Sequence, residues 1–293
     1  MTLYPESAVH RPPWPSAWPG PVTIRHVAGA VFMVGLTLGF GIGAVLLTRS
    51  GDPRGPLIGF CVPFIAAATV VVVVRDLRGR RHQPSSITLT EVPTLLRTAV
   101  VIRYSSVRAW AFLVLGVTLV LPMAGYCAVL IAAGLAEFPR YWGAALPVLV
   151  IGPLTVYLLL CLAHIAMGRM RRGLLALTPE GIYHRAWAYE AYVPWESVIG
   201  VWPWHGGQPA RPQVSTSVLP DPGVWFRRTS GLWRQPEFTL QPHIVLPCVE
   251  FPVDPALLLH ALQHYAEHPT HRAELGDDRG VQRIRTGSFP SSN

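Results

Sequence analysis

Two stretches of this sequence gather side chains that could do chemistry. Trp225-Phe226-Arg227-Arg228, followed by Trp233 and Arg234, alternates aromatic rings with guanidinium groups. That composition suits anionic lipid headgroups, where each Arg adds about 1 kcal/mol of attraction. The competing reading is a Trp-rich strand with one solvated face. Nucleic acid would favour the same chemistry, but no nucleic-acid fold is recognisable and none is expected as a partner. His260, His264 and His268 recur every four residues, with His271 just beyond. Imidazoles at that spacing can share a metal ion. No Cys accompanies them and Glu267 is the only nearby acid, so a solvated histidine stripe is expected, with no metal and no cofactor. Catalytic signatures are missing: there is no G-x-S-x-G elbow, H-E-x-x-H, phosphate loop or C-x-x-C. Cys61, Cys127, Cys161 and Cys248 read as small buried hydrophobes. The chain is not expected to be an enzyme.

The elements that must carry these residues are set first by composition. Of 293 residues, 51% are hydrophobic and 14% charged, and all 24 cations are Arg, set against 16 acids. That is too apolar for a disordered chain, and four scattered Cys do not make a disulfide scaffold. Charge-free runs at Val27–Thr48, Pro56–Val74, Ala109–Leu135 and Gly143–Gly168 are long enough, at about 1.5 Å per residue, to cross a hydrocarbon layer. An integral membrane protein with four transmembrane helices is therefore expected. Gly35, Gly39 and Gly43, four apart in the first run, would let that helix pack closely on another span or a second copy, making a homo-oligomer possible. His164 lies close enough to Arg169 to reach headgroups or a carbonyl, so no proton relay is assigned to it.

Orientation follows from Arg placement. Arg75, Arg78, Arg80, Arg81, Arg97, Arg103 and Arg108 lie between the second and third runs, and Arg169, Arg171 and Arg172 follow the fourth. Positive loops stay inside, which places both termini in the cytoplasm and the protein in the plasma membrane. Residues 1–26 read as a Pro- and Trp-rich cytoplasmic tail, with 27–74 as the first helix pair. Within the basic loop 75–108, Thr90 could cap an amphipathic helix carrying Val92, Leu95, Leu96, Ala99 and Val100 on one face, in preference to a short strand through Val100–Tyr104. Residues 109–168 form the second helix pair.

After Gly173 the pattern changes to short strands and turns. Leu174–Leu177, the turn Thr178-Pro179-Glu180-Gly181 and Ile182–Arg185 predict a hairpin. Further strands are expected at Tyr189–Val193, Val198–Trp202, Val214–Val218, Val224–Arg228 and Ile244–Val249. Asp254 should cap a helix with Pro255 in its first turn and a buried stripe of Leu258, Ala261, Leu262 and Tyr265. The run from Leu175 to Ile182, the step Pro194-Trp195-Glu196-Ser197-Val198-Ile199 and the closing strand and helix resemble the pleckstrin-homology-like (PH-like) domains found beside transmembrane helices in bacterial membrane proteins. The resemblance covers residues 173–268 and implies a seven-stranded bent sheet, a small β-rich barrel closed by a C-terminal helix. Residues 269–293 read as a disordered tail. The function expected from the whole is non-catalytic scaffolding, or binding of lipid or protein at the cytoplasmic face. A small transporter or channel subunit regulated by its cytoplasmic domain is the alternative.

Overall fold

A computed structural model describes residues 12–18, 24–51, 82–106, 142–204, 212–233 and 235–289, with isolated positions at 62, 110, 113, 117, 120, 124 and 125. The chain divides into two compact units. One comprises residues 1–23, 79–105 and 171–293, and the other 24–78 and 106–170.

The second unit holds helices α1 (Ile24–Arg49) and α2 (Trp142–Ala166). They coincide with the first and fourth apolar runs. A span needs an unbroken helix with enough apolar residues to match about 30 Å of hydrocarbon. Among the described residues no helix is long and apolar enough to cross a membrane. That finding overturns the four transmembrane helices and the plasma-membrane, multi-pass placement derived from them. The absence of charge established a helix-compatible run, which is a weaker condition than a membrane span. Pro56–Val74 and most of Ala109–Leu135 lie outside the described residues. In α1, Phe32, Leu38 and Ile42 are exposed. A Cβ built at Gly35, Gly39 or Gly43 meets nothing within 4 Å, so the close helix packing expected of these glycines is not made within the described residues.

The first unit is a β-structure assembled from separate pieces of chain. Strands β1 (Ile87–Val92), β2 (Arg97–Arg103), β3 (Leu174–Leu177), β4 (Gly181–Arg185), β5 (Tyr189–Pro194) and β8 (Trp225–Arg228) form one antiparallel sheet in the order β1-β2-β3-β4-β5-β8. Strands β6 (Val198–Trp204), β7 (Gln213–Val218) and β9 (Ile244–Pro247) form a second, in the order β6-β7-β9. Helix α3 (Pro255–Glu267) closes the core as expected, with the Asp254 carboxylate accepting from Ala256 N–H at 2.9 Å and Leu258, Ala261, Leu262 and Tyr265 buried.

Two expectations change here. The amphipathic helix beginning near Glu91 does not form; β1 and β2 make a hairpin that extends the sheet beyond β3. Strand β2 buries Ala99, Val100, Val101 and Ile102 in succession, so both of its faces are covered. A strand covered on both sides shows no alternation, which is why its sequence reads equally well at helical spacing. Within the segment read as a disordered tail, a 3-10 run (Pro269–Gly276) and helix α4 (Asp278–Thr286) follow α3, and residues 290–293 lie outside the described residues. Leu275, Val281 and Ile284 enter the core, and the Glu274 carboxylate accepts from Tyr265 Oη at 2.8 Å and Arg283 Nε at 2.5 Å.

Side chains meet one carbonyl on each of two edge strands, β1 and β6, which takes up groups otherwise open to pairing. Arg285 of α4 donates to the Ile87 carbonyl of β1. Gln263 of α3 donates to the Val201 carbonyl of β6 at 3.1 Å. Strand alternation turns the main chain of Pro203 toward the same edge as Val201, so its missing N–H costs no ladder bond.

Tyr104 splices the pieces. Its N–H donates to the Gly173 carbonyl at 2.9 Å, and its ring is buried over Gly173, where an added Cβ would collide with it. Gly173→Ala should therefore lower the unfolding free energy by about 1–3 kcal/mol in urea titrations. Gly231→Ala, into open space, should leave it unchanged.

Candidate functional site

Cross-strand register sorts the six-stranded sheet into rows that alternate between its two faces. The row Ile87–Ile102–Leu175–His184–Ala191–Phe226 faces the main core. The neighbouring row, Thr88–Val101–Ala176–Tyr183–Tyr192–Trp225, faces outward and holds a smaller cluster. On the same outer face, the next row reads Arg103–Leu174–Arg185–Glu190–Arg227.

This arrangement divides the residues that sequence proximity had grouped. Trp225 and Arg227 lie on the outer face. Phe226 turns into the core, and Arg228 places its guanidinium 4.7 Å from the Phe238 ring centre. Trp225 stacks on Tyr192 at 6.3 Å and tilts over Tyr183 at 6.2 Å. Arg227 pairs with Glu190 at 2.6 Å, which uses its charge locally. Trp233 lies half-buried in the segment after β8, and Arg234 lies outside the described residues. Of the patch read from sequence, Trp225 and Arg227 thus share one face of the sheet and Arg228 lies on the other.

A second surface centres on Leu174, with Arg103 on one side and Arg185 on the other. Neighbouring strands lie about 4.8 Å apart, so two strand spacings of about 10 Å separate these Arg residues. Arg172, two residues before Leu174, adds a third guanidinium; its Nε donates to the Tyr104 carbonyl. Arg185 donates to the Arg172 carbonyl at 3.3 Å, and its buried Nε has no partner. Burial holds the Arg172 pKa below its ordinary value, and the positive charge of Arg103 lowers it further. Among the described residues no carboxylate pairs with Arg103, which is exposed. Among the described residues none of these three cations makes an ion pair, Glu190 across from Arg185 being taken by Arg227, and with an unused donor on Arg185 they suit an anion that accepts several hydrogen bonds, such as phosphate or carboxylate.

In the sequence Arg103 and Arg172 read as orientation signals and Arg185 as a strand end. Only strand pairing joins them, because they come from three separate strands or strand entrances. Locally they share only a place at a strand boundary: Arg103 and Arg185 end β2 and β4, and Arg172 precedes β3.

His264 is buried, hydrogen-bonds to His271 at 2.9 Å and stacks on His268 at 4.6 Å. His260, at the start of the stripe, is half-exposed. Among the described residues no group of His, Cys, Asp and Glu is arranged to hold a metal ion. Burial, then the charges of His268, Arg283 and His271, push the His264 pKa down to about 4. His184, unexpected from sequence, is fully buried, with Nε2 2.9 Å from Tyr104 Oη, and burial pushes its pKa down to about 3. Cys248 is equally enclosed, and burial pushes its thiol pKa up.

Comparison with protein-family models, curated proteins and solved structures finds no match to this chain.

These two histidines fix the sign of a pH dependence. Both are neutral when folded and have native pKa values below the ordinary 6.5. As pH falls, the unfolded chain takes up protons first, so stability is complete above about pH 6.5 and is lost progressively toward pH 3–4. Glu274 contributes lower down: burial pushes its carboxyl up, but Arg283 and Tyr265 outweigh that and hold it below the ordinary range. Between pH 7 and 5 the melting temperature should fall, by the equivalent of about 1–3 kcal/mol. His184→Gln, which can still hydrogen-bond Tyr104, should flatten that fall, and an unchanged slope would assign the effect elsewhere.

Proposed function

We propose that this chain is a non-catalytic binding protein whose β-unit, PH-like in plan, captures an anionic group on the outer face of its larger sheet. Arg103, Arg172 and Arg185 are the residues that would hold it. The observation that carries this reading is the register row in which Arg103 and Arg185 flank Leu174, with the unpartnered Arg185 Nε beside Arg172. Two antiparallel sheets closed by a C-terminal helix support the PH-like comparison.

The ligand class follows from the donors. Guanidinium groups offer planar, paired N–H donors that match phosphate and carboxylate oxygens. Half-buried Tyr192 and Trp225, stacked on each other, lie along the same face as the cations, so a ligand bearing an apolar or ring portion beside its anionic group has rings to lie against. A phosphorylated headgroup fits both features. The transporter alternative needed the membrane spans and is not carried further.

The test is titration of the full-length chain with inorganic phosphate, then with vesicles containing phosphorylated lipid, at constant ionic strength. Arg103→Glu alters an exposed side chain outside the core, so the fold should be kept. It should weaken binding at least tenfold, about 1.4 kcal/mol, as expected for loss of one charge-assisted contact. Arg228→Glu, on the opposite face, should have little effect. Equal affinity in the Arg103→Glu variant would sink the assignment.

A further inference from the structure

The Pro- and Trp-rich tail does not hang free of the β-unit. Trp18 is 4% exposed and belongs to the main core cluster, with half-buried Trp14 packed against that cluster. The two indoles meet edge to face at 5.2 Å. Trp18 Nε1 donates to two carbonyls at once, Trp204 at 3.2 Å and Gln213 at 3.0 Å. Those two residues are the last cross-strand pair of the β6–β7 ladder. Between the buried ends, Pro12 and Trp18, the residues Pro13, Ser16 and Ala17 face solvent, and a turn closed by Trp18 N–H to the Pro15 carbonyl sets the second anchor.

This is the form of a peptide in a groove rather than of an interior strand. Prolines pre-set the extended approach and lower the entropy lost on docking. Trp supplies a large apolar surface, and its single N–H donor is shared between two main-chain carbonyls at the end of the β6–β7 ladder. In chain order, the segment is separated from the rest of its unit by residues assigned to the helical unit. No strand pairing incorporates it in either sheet.

We infer that the end of the β6–β7 ladder is a binding site for an extended, Pro-rich segment bearing Trp at the anchor position. Residues 12–18 fill it in cis, and the same chemistry offered in trans by a partner protein can replace them. Tethering makes the cis segment a strong competitor, since its binding is intramolecular while a partner's is not. The site is therefore closed until the tail is drawn away or outcompeted.

The experiment uses the full chain with a protease site introduced between residues 19 and 23, cut after folding, and a fluorescein-labelled peptide spanning residues 11–20. Cut protein should bind the peptide saturably by fluorescence anisotropy, at least tenfold more tightly than uncut protein. A peptide with Trp18→Ala should not bind. In the uncut chain, Trp18→Phe keeps a ring but removes the N–H donor, and it should raise trans-peptide affinity at least tenfold. The inference is overturned if cut protein keeps its near-ultraviolet circular dichroism yet never exchanges the peptide. It is equally overturned if cutting unfolds the β-unit, which would make the tail permanent core, or if Trp18→Phe leaves trans binding unchanged.

Discussion

Most of the β-unit depends on burying one tyrosine against a residue that has no side chain. Tyr104 is 1% exposed, its ring lies over Gly173, and its edge-to-face partner Phe251 is 4.8 Å away. Its main chain bonds that of Gly173, and its hydroxyl meets His184. Large aromatic burial supplies the free energy, and the hydrogen bonds keep the polar atoms of Tyr104 from being stranded. Through this contact the chain leaving β2 is fixed beside the chain entering β3, although the whole segment 106–170 lies between them. The β2–β3 register follows, and with it the row that places Arg103 and Arg185 on either side of Leu174.

The same packing explains why the polar groups of the core and of the outer face behave differently. His184 occupies an inward row, stays neutral and serves Tyr104. Arg185, next to it in sequence, occupies an outward row and keeps an unpartnered donor. A one-residue step along a strand changes a side chain from interior support to exposed chemistry, because successive residues point to opposite faces. Trp225 and Phe226, and Arg227 and Arg228, are separated by the same rule.

Much of the local structure was legible from residues. The Thr178-Pro179-Glu180-Gly181 turn forms, with Thr178 Oγ1 accepting from Gly181 N–H at 3.0 Å. The Asp254 cap, the apolar stripe of α3 and the strands from Leu174 to Pro194 also match their local signals. The β1–β2 hairpin did not. Val92, Leu95, Leu96, Ala99 and Val100 do repeat at helical spacing, yet Leu96 is 79% exposed at the hairpin tip with φ of 52°. The buried run of β2 came from cover on both faces, which a single strand cannot announce. The terminal segment was misread for the opposite reason: its many polar residues hid Leu275, Val281 and Ile284, which are few but sufficient to dock a short helix.

By itself the sequence determined what short-range physics controls: turns, caps, strand propensity and the lack of catalytic signatures. It also determined that two long apolar segments become helices, because low charge and helical spacing are local properties. It did not determine a membrane span, since that depends on how apolar length is realised in a folded helix. Tertiary structure alone decided which strands pair, that Trp18 enters the core, and that Arg103, Arg172 and Arg185 converge. The physical reason is that pairing and burial act between residues separated by most of the chain, and only the closed core around Tyr104 and Gly173 brings them within reach.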